Sequence, residues 1–410
     1  MTDAVRPLTD PTPPFAERTL ELVLRDRVRI GRGAIATLPA LVREVGGAHA
    51  RAFIVSDPGV VASGVVATVV DVLRAAGIEV GVFGEVEPNP GTTVVERGGA
   101  AFRTFGTTKT VVVPVGGGSS MDTAKAMSLW AVNDVRAADL GYDDPSLAPG
   151  RPLIAVPTTA GTGAETNSFG VITDEGAGRK SYIGHPSLLP VGCILDPDLT
   201  VGLPPGATAA TGIDAMTHSV ESLLSRNPNP FAEAMALQVI RTVGTFLPRA
   251  VADGADMEAR GQLLFASHLA GIGQASGTGV GLVHALGHAL GTHGRLPHGT
   301  ALAAVMPAVL AFYLGTRDRE LALVAAALGA AAPIAAAPSD PPDRAARAGS
   351  DAVADLVERV GQRRTLRELG LGPSTIPALV EDALADPAIR NSPRLPTADE
   401  VTAILVSVLG

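Results

Sequence analysis

Hydrophobic residues in the first half of the chain form short β-branched runs, separated by longer stretches with helical spacing. The runs occupy residues 52–55, 79–83, 111–115, 153–156 and 193–195, and helical spacing occurs at 64–76 and 120–130. Strands that alternate with helices are typical of an α/β layer whose sheet is largely parallel. The first half of the chain therefore predicts an α/β domain.

The pattern changes after Asp196-Pro197, where alanine and leucine recur at helical spacing and β-branched runs become rare. This spacing predicts an all-α second half. Residues 203–206, Leu-Pro-Pro-Gly, interrupt any regular element and mark the boundary. The predicted organisation is an N-terminal extension (1–20), an α/β domain (21–202) and a helical domain (203–410), with an exposed proline-rich loop at 338–343.

Composition narrows the classes of function. The 410-residue chain is 46% hydrophobic and has a formal net charge of −9, so neither nucleic acid nor a membrane is an expected partner. The single cysteine, Cys193, excludes an intrachain disulfide, a four-cysteine zinc site and the cysteine-containing zinc site of medium-chain alcohol dehydrogenases. Because the first residues contain no apolar segment, we expect no secretory signal and a cytoplasmic protein.

Histidines concentrate in the second half, where six of the eight occur from His218 onward. Asp214 and His218 are four residues apart, as are His284 and His288, so each pair projects from one face of a helix. A Pro-His-Gly turn containing His298 follows. One carboxylate and several imidazoles without a thiolate favour Fe(II), Zn(II) or a similar divalent cation. The pattern predicts a metal site, with ordinary helix histidines as the alternative.

A glycine triplet at 116–118 directly follows a buried run and opens a helix. Glycines there let backbone N–H groups approach a pyrophosphate at a helix N-terminus, although a plain tight turn has the same composition. A second loop of small and hydroxyl-bearing residues, 157–163, ends the next predicted strand. Two such loops at the carboxyl ends of neighbouring strands predict a nucleotide-binding crevice.

Asp57 ends the first clear strand. A carboxylate there can accept a hydrogen bond from an adenosine ribose and would repel a 2′-phosphate, which favours NAD over NADP; a helix N-cap is the alternative role. Short-chain dehydrogenases need a tyrosine and a lysine four residues apart, and none of the three tyrosines has a lysine at that offset. If the chain performs hydride chemistry, a metal must therefore supply the electrophile.

Four longer motifs lie at 116–125, 157–165, 212–218 and 284–298, and three shorter ones lie at 87–90, 178–180 and 196–200. In content and order they closely resemble the iron-dependent (group III) alcohol dehydrogenase family, and the likeness extends from about residue 20 to the C-terminus. The resemblance implies a dehydroquinate-synthase-like fold, with the active site in the cleft between a nucleotide-binding α/β domain and a helical domain.

The resemblance also implies roles for individual residues. The implied metal ligands are Asp214, His218, His284 and His298, and His288 is implied to lie near the substrate and the nicotinamide, where it can relay a proton. The implied cofactor contacts are Asp57, Asn89, Gly116, Gly117, Gly118, Ser119, Asp122, Thr158, Thr159, Thr162 and Lys180. His268 and His293 receive no role and are expected to be structural or to line the pocket.

The implied activity is that of an NAD(H)- and metal-dependent alcohol dehydrogenase or carbonyl reductase, with hydride passing between nicotinamide C4 and a metal-bound alkoxide or carbonyl. We expect Fe(II), with Zn(II) as the alternative, a small alcohol or aldehyde substrate, and a homodimer or higher homo-oligomer. A maleylacetate reductase or a glycerol dehydrogenase would keep the fold with another substrate. A phosphate-eliminating cyclase and a non-catalytic scaffold are alternatives of other classes, although Arg295 is the only lysine or arginine within 284–298.

Overall fold

The computed structural model describes residues 27–142, 144–330 and 342–410. In these residues the chain divides into two compact units, with the division between Leu203 and Pro204. The sequence predicts a domain boundary between residues 202 and 203. The predicted N-terminal extension (1–20) lies outside the described residues.

The first unit is built around a sheet of six parallel strands in the order β1-β8-β5-β4-β2-β3. A separate antiparallel hairpin is formed by β6 and β7. The strands are β1 (Val28–Ile30), β2 (Arg51–Val55), β3 (Glu79–Phe83), β4 (Thr110–Gly116), β5 (Ile154–Pro157), β6 (Phe169–Asp174), β7 (Arg179–Gly184) and β8 (Gly192–Leu195). The helices of this unit are α1 (Leu38–Gly46), α2 (Pro58–Ala62), α3 (Val65–Ala75), α4 (Thr92–Phe105) and α5 (Gly118–Trp130).

Alternate residues of the central strands pack on opposite faces of the sheet, because successive side chains in a strand point to opposite sides. Ile54 and Val113 belong to a core cluster that includes residues of α1 and α3. Phe53 and Val112 belong to a second cluster that includes residues of α4 and α5. Both faces are therefore covered by helices, which explains why the strands appear in the sequence as continuous hydrophobic runs.

The predicted α/β class with a largely parallel sheet is confirmed, and all five predicted runs are strands. The prediction has no counterpart for the edge strand β1, for the helices α1, α2 and α4, or for the β6–β7 hairpin. The hairpin was missed because its strands mix polar with apolar residues, so neither forms an apolar run.

The second unit contains only helices among its described residues, as predicted. They are α6 (Pro205–Leu224), α7 (Pro230–Ala252), α8 (Met257–Gly273), α9 (Leu282–Gly294), α10 (His298–Phe312), α11 (Asp318–Ala327), α12 (Pro342–Arg359), α13 (Ile376–Ala385) and α14 (Ala398–Ser407), with a π-helical turn at Gln274–Thr278 before α9. In the described ranges, no helix combines the length and apolar character needed to cross a lipid bilayer.

The proline-rich loop predicted at 338–343 is wrong in its last two residues, because α12 begins at Pro342. Residues 338–341 lie outside the described part of the chain. A proline is compatible with the first turn of a helix, where its missing N–H would have no intrahelical partner. Proline content alone therefore gave too late a start for this helix.

Candidate metal centre and nucleotide-binding loops

Helix α6 positions Asp214 and His218 one turn apart, and both side chains are buried. Pro204 and Pro205 lie at the start of this helix, where a proline costs no hydrogen bond. His218 Nδ1 lies 3.6 Å from Asp214 Oδ1, so the two predicted ligands face the same space. The i,i+4 spacing in the sequence therefore has the expected structural result.

Helices α9 and α10 contribute the other predicted ligands, His284 and His298. His298 is the first residue of α10, which packs closely on α6 at Gly299. A Cβ atom at Gly299 would lie 2.5 Å from the carbonyl carbon of Ala210 and closer still to its oxygen, so only glycine fits. The glycine of the Pro-His-Gly motif thus lets His298 come near Asp214.

One carboxylate oxygen lies at the centre of these imidazoles. Asp214 Oδ1 is 3.6 Å from His298 Nε2 and 3.7 Å from His284 Nε2. These separations are too long for hydrogen bonds, but two ligand atoms bonded at about 2.1 Å to one tetrahedral ion lie about 3.4 Å apart. Asp214, His284 and His298 form a group whose ligand atoms lie within 4.8 Å of one another. His218 is outside that group, with its ring stacked 4.7 Å from the ring of His284.

Burial differs between the members of this group in a way that matters for chemistry. The side chains of Asp214 and His284 are each 3% exposed, whereas that of His298 is 39% exposed. Asp214 Oδ1 and His284 Nε2 are buried without a hydrogen-bond partner. Orphaned buried acceptors are costly unless something binds them, and a cation would satisfy both. The residues present therefore fit a metal, with an accessible side at His298.

The electrostatics of the cluster also favour positive charge. Burial by itself would raise the pKa of Asp214, but the neighbouring imidazoles hold that pKa well below its usual value. Burial by itself would lower the pKa of His284, but Glu221 and Asp214 outweigh it and raise that pKa to about 9. Two buried carboxylates thus attract a positive charge, as a proton on His284 or as a cation.

His288 lies one turn after His284 on α9, with its side chain 22% exposed. Its Nδ1 is 2.8 Å from Asp386 Oδ2, and its ring stacks 5.4 Å from that of His298. His293, one turn further, contacts Asp382 through Nε2 at 2.7 Å. Neither aspartate was singled out in the sequence, because each pair joins residues 89 or 98 positions apart.

Sequence reasoning also missed Glu221, which is 5% exposed on α6. Its Oε2 is 2.6 Å from His284 Nδ1, on the opposite side of the ring from Asp214. A local signal exists, since Glu221 follows Asp214 by seven residues, a spacing that keeps both on one face of a helix. Without the position of α9, that spacing is common among helical glutamates.

In the first unit, the two predicted loops meet at the carboxyl ends of β4 and β5. The Thr158 N–H donates to Gly116 O at 3.0 Å. A Cβ atom at Gly117 would lie 3.2 Å from Thr159, and one at Gly118 would lie 2.9 Å from Thr162. The glycines therefore permit the close approach of the second loop. The N-cap of α5, Gly117, offers no side-chain acceptor, which leaves the first N–H groups of the helix to a ligand or to water.

Asp57 follows β2, which pairs with β4, so its carboxylate lies beside the glycine loop. Asp57 Oδ1 accepts a hydrogen bond from Val60 N at 3.0 Å and so caps α2. Asp57 Oδ2 is 3.5 Å from Ser120 Oγ. The alternative role of helix cap is thus real, and it uses only one of the two carboxylate oxygens. The second oxygen faces the start of α5, at the switch point between β2 and β4 where the order of successive strands in the parallel sheet reverses.

The hairpin brings together the other predicted cofactor contacts. Lys180 on β7 donates to Asn89 Oδ1 at 2.8 Å, and Asn89 has a left-handed backbone with φ of 53°. Asp122 on α5 accepts from Val171 N at 3.0 Å. Burial raises the pKa of Asp122, although Lys125 and Lys180 oppose this shift. Ser119 lies on the first turn of α5, half-buried.

Lys125 is almost fully buried on α5 and holds the segment after the second loop. Its Nζ donates to Ala164 O at 2.7 Å, Asn167 Oδ1 at 2.7 Å and Phe169 O at 2.6 Å. Burial lowers the pKa of this ammonium to about 8, against the opposing effects of Asp122 and Glu165. Lys125 therefore serves the structure of the loop rather than contacting a ligand directly.

Two family models match the two parts of the chain. The family model described as iron-containing alcohol dehydrogenase matches residues 26–197, and the model of the C-terminal part of the Fe-containing alcohol dehydrogenase family matches residues 208–409. The chain belongs to the iron-containing alcohol dehydrogenase family. The protein is an oxidoreductase that acts on CH–OH groups. The cyclase and scaffold alternatives are not supported.

Relatives match this chain over nearly its whole length. The NAD-dependent methanol dehydrogenase of Bacillus methanolicus is 33% identical over 93% of this chain and 97% of the relative. The lactaldehyde reductase of Escherichia coli K12 is 34% identical, with the same two coverages of 93% and 97%. The crystal structure of a 1,3-propanediol oxidoreductase superposes with a TM-score of 0.90 and 33% identity, over 95% of this chain and 100% of the other.

Proposed function

We propose that the protein interconverts a small alcohol and its aldehyde or ketone with NAD(H), using a divalent metal for which Fe(II) is the expected ion and Zn(II) the alternative. The observation that carries this proposal is the buried Asp214 Oδ1, which faces the ring nitrogens of three histidines at 3.6–3.7 Å. The α/β unit then acts as the nucleotide-binding domain and the helical unit as the metal-binding domain.

Asp214, His218, His284 and His298 would hold the cation. A divalent cation supplies Lewis acidity, which lowers the pKa of an alcohol and polarises a carbonyl. Burial of Asp214 and His284 excludes water from one side of the site, while the exposed side of His298 leaves room for a small substrate. These residues therefore provide both a closed binding side and an open reacting side.

The glycine loop and the threonine loop would hold NAD(H), which supplies the hydride acceptor or donor. Backbone N–H groups at the start of α5 would bind the pyrophosphate, since no side chain caps that end of the helix. Thr158, Thr159 and Thr162 offer hydroxyl groups beside the glycines, and Asn89, Asp122 and Lys180 extend the same surface. Asp57 Oδ2 would accept from the ribose.

His288 would move the proton between substrate and solvent. Its Nδ1 is engaged by Asp386, so its Nε2 is left for proton exchange, and its side chain is partly exposed. The stacked contact with His298 keeps it close to the metal ligands without making it one. This arrangement suits a general acid or base rather than a ligand.

The relatives named above act on methanol, lactaldehyde and 1,3-propanediol, which are all small, polar and uncharged. We infer a substrate of the same chemical class. A cytoplasmic location and a homodimer or higher homo-oligomer remain predictions of the sequence.

Three alanine variants on helix α9 test the proposal. His284→Ala should lose both bound metal and turnover, because a buried ligand is gone. His288→Ala should keep its metal and lose kcat by roughly 100-fold. His293→Ala is the matched control, on the same helix with an aspartate partner, and should keep both. Metal content is measured by elemental analysis and turnover by NADH absorbance with small aldehydes.

Opposite results would identify which part of the proposal is wrong. Full metal content in His284→Ala contradicts the ligand assignment. Metal loss in His288→Ala would mean that this histidine binds the ion. Wild-type protein that carries a metal but oxidises no NADH with a panel of small aldehydes, ketones and hydroxyaldehydes would contradict the proposed substrate class.

A further inference from the structure

Glu221 occupies a position that joins the two helices of the metal centre. It is on α6, three residues after His218, with its side chain 4% exposed. Glu221 Oε2 contacts His284 Nδ1 at 2.6 Å and accepts from Gly281 N at 2.9 Å. Glu221 Oε1 accepts from Val283 N at 2.6 Å. Both oxygens are therefore fixed by the first residues of α9.

This contact determines which nitrogen of His284 carries a proton. A carboxylate is an acceptor only, so the Nδ1 atom must be the donor. The other nitrogen, Nε2, then points to Asp214 Oδ1 and can present a lone pair to a cation. Without the carboxylate, the neutral ring could place its proton on Nε2 instead, and that tautomer cannot bind a metal there.

A helix cap alone does not account for this arrangement. The first N–H groups of a helix are ordinarily capped by a serine, threonine or aspartate immediately before it. Here the N-cap residue is Gly281, and the capping carboxylate comes from a helix 60 residues earlier. That carboxylate also accepts from the imidazole of His284, so the orientation of the ring is tied to the backbone that carries it.

We propose that Glu221 is a positioning residue of the metal centre, which fixes the tautomer and the orientation of His284 so that Nε2 faces the cation. This inference rests on the proposed metal site. Carboxylates that hold a ligating histidine in this way typically change metal affinity by 10–100-fold when they are removed. Glu221 itself is not proposed as a ligand, because both of its oxygens already accept from groups of α9.

The test compares two isosteric carboxylate-to-amide variants in the full-length, metal-stripped protein. Glu221→Gln keeps the size of the side chain but removes its charge, and only one of its two terminal groups can accept. It therefore cannot accept both from the pair of His284 Nδ1 and Gly281 N, which share Oε2, and from Val283 N, which uses Oε1. Asp386→Asn is the matched control, because Asp386 contacts Nδ1 of His288. His288 is on the same helix as His284 but is not one of the proposed metal ligands. Affinity for Zn²⁺ and for Co²⁺ is measured by chelator competition, with the visible spectrum of Co²⁺ as a second readout.

We expect Glu221→Gln to weaken Zn²⁺ and Co²⁺ binding by about 10–100-fold and to alter the Co²⁺ spectrum, while Asp386→Asn changes affinity less than about threefold. A variant that melts at lower temperature but binds both ions as the wild type does would show that Glu221 is only a helix cap. Equal weakening in both variants would also overturn the proposal. If the wild type binds neither ion, the metal site itself fails, which is a separate outcome.

A measurement on the wild type keeps the inference testable if Glu221→Gln does not fold. Nitrogen-15 NMR of the histidine rings in the Zn²⁺-loaded protein reports which ring nitrogen carries hydrogen. We expect His284 to have hydrogen on Nδ1 and the metal on Nε2. A metal-bound or unprotonated Nδ1 would contradict the role given to Glu221.

Discussion

Gly299 offers a direct test of how the fold brings the ligands together. It follows His298 at the start of α10, where the helix packs against the backbone of α6. Replacing it with alanine adds a single methyl group. That methyl would lie 2.5 Å from the carbonyl carbon of Ala210 and nearer to its oxygen, whereas ordinary carbon contacts are about 3.5–4.0 Å.

The magnitude follows from that distance. Relief of the clash requires the start of α10 to move about 1 Å or more away from α6, which moves His298 away from Asp214 by a similar amount. Metal–ligand bonds tolerate only about 0.2 Å, so we expect metal affinity to fall by at least about 100-fold. Overpacking of this kind also costs about 1–3 kcal/mol, which lowers Tm by roughly 2–12 °C for a unit of this size.

The matched control is Gly206→Ala on helix α6. A Cβ atom there has no heavy atom within 4 Å, and the residue is exposed in the first turn of the helix. Alanine is the better helix former, so this variant should be as stable as the wild type or more stable by up to about 1 kcal/mol. Zn²⁺ affinity by chelator competition and thermal unfolding of the metal-free proteins are measured for both variants.

Two outcomes would refute the reasoning. Wild-type Zn²⁺ affinity in Gly299→Ala would mean that α10 can shift without moving His298, or that His298 is not a ligand. A loss of affinity in Gly206→Ala as large as that in Gly299→Ala would mean that any substitution near the start of α6 disturbs the centre. If Gly299→Ala is less stable than the wild type but binds Zn²⁺ with the same affinity, the packing at Gly299 affects stability without setting the position of the metal ligands.

Two further predictions concern the α/β unit. Asp57→Asn keeps an oxygen that can cap α2 but removes the charge. The ratio of kcat/KM with NADP to kcat/KM with NAD should therefore rise roughly 10-fold or more. If this ratio is unchanged both in Asp57→Asn and in Asp57→Gly, Asp57 is only a helix cap. Lys125→Met removes the donor for three acceptors, two of them buried, and should cost about 2–4 kcal/mol in unfolding free energy and weaken NAD binding. The exposed Lys109→Met should change neither quantity, and denaturant unfolding and NAD titration measure both.

The sequence by itself determined the elements that depend on short-range pattern. Continuous β-branched runs predicted the central strands, because strands buried on both faces need apolar residues at every position. The four-residue spacing of Asp214 and His218 placed both on one face of α6, since helical geometry repeats every 3.6 residues. The glycine triplet at the end of β4 predicted the loop that opens α5.

Tertiary structure alone decided which of these elements meet. His298 lies close to Asp214 because α10 packs tightly against α6, and this packing is possible because Gly299 has no side chain. The contacts of Glu221 with His284 and of Asp386 with His288 join residues 63 and 98 positions apart. Periodicity specifies the buried face of a helix but not its neighbour, because the partner is chosen by the fit of whole surfaces between helices.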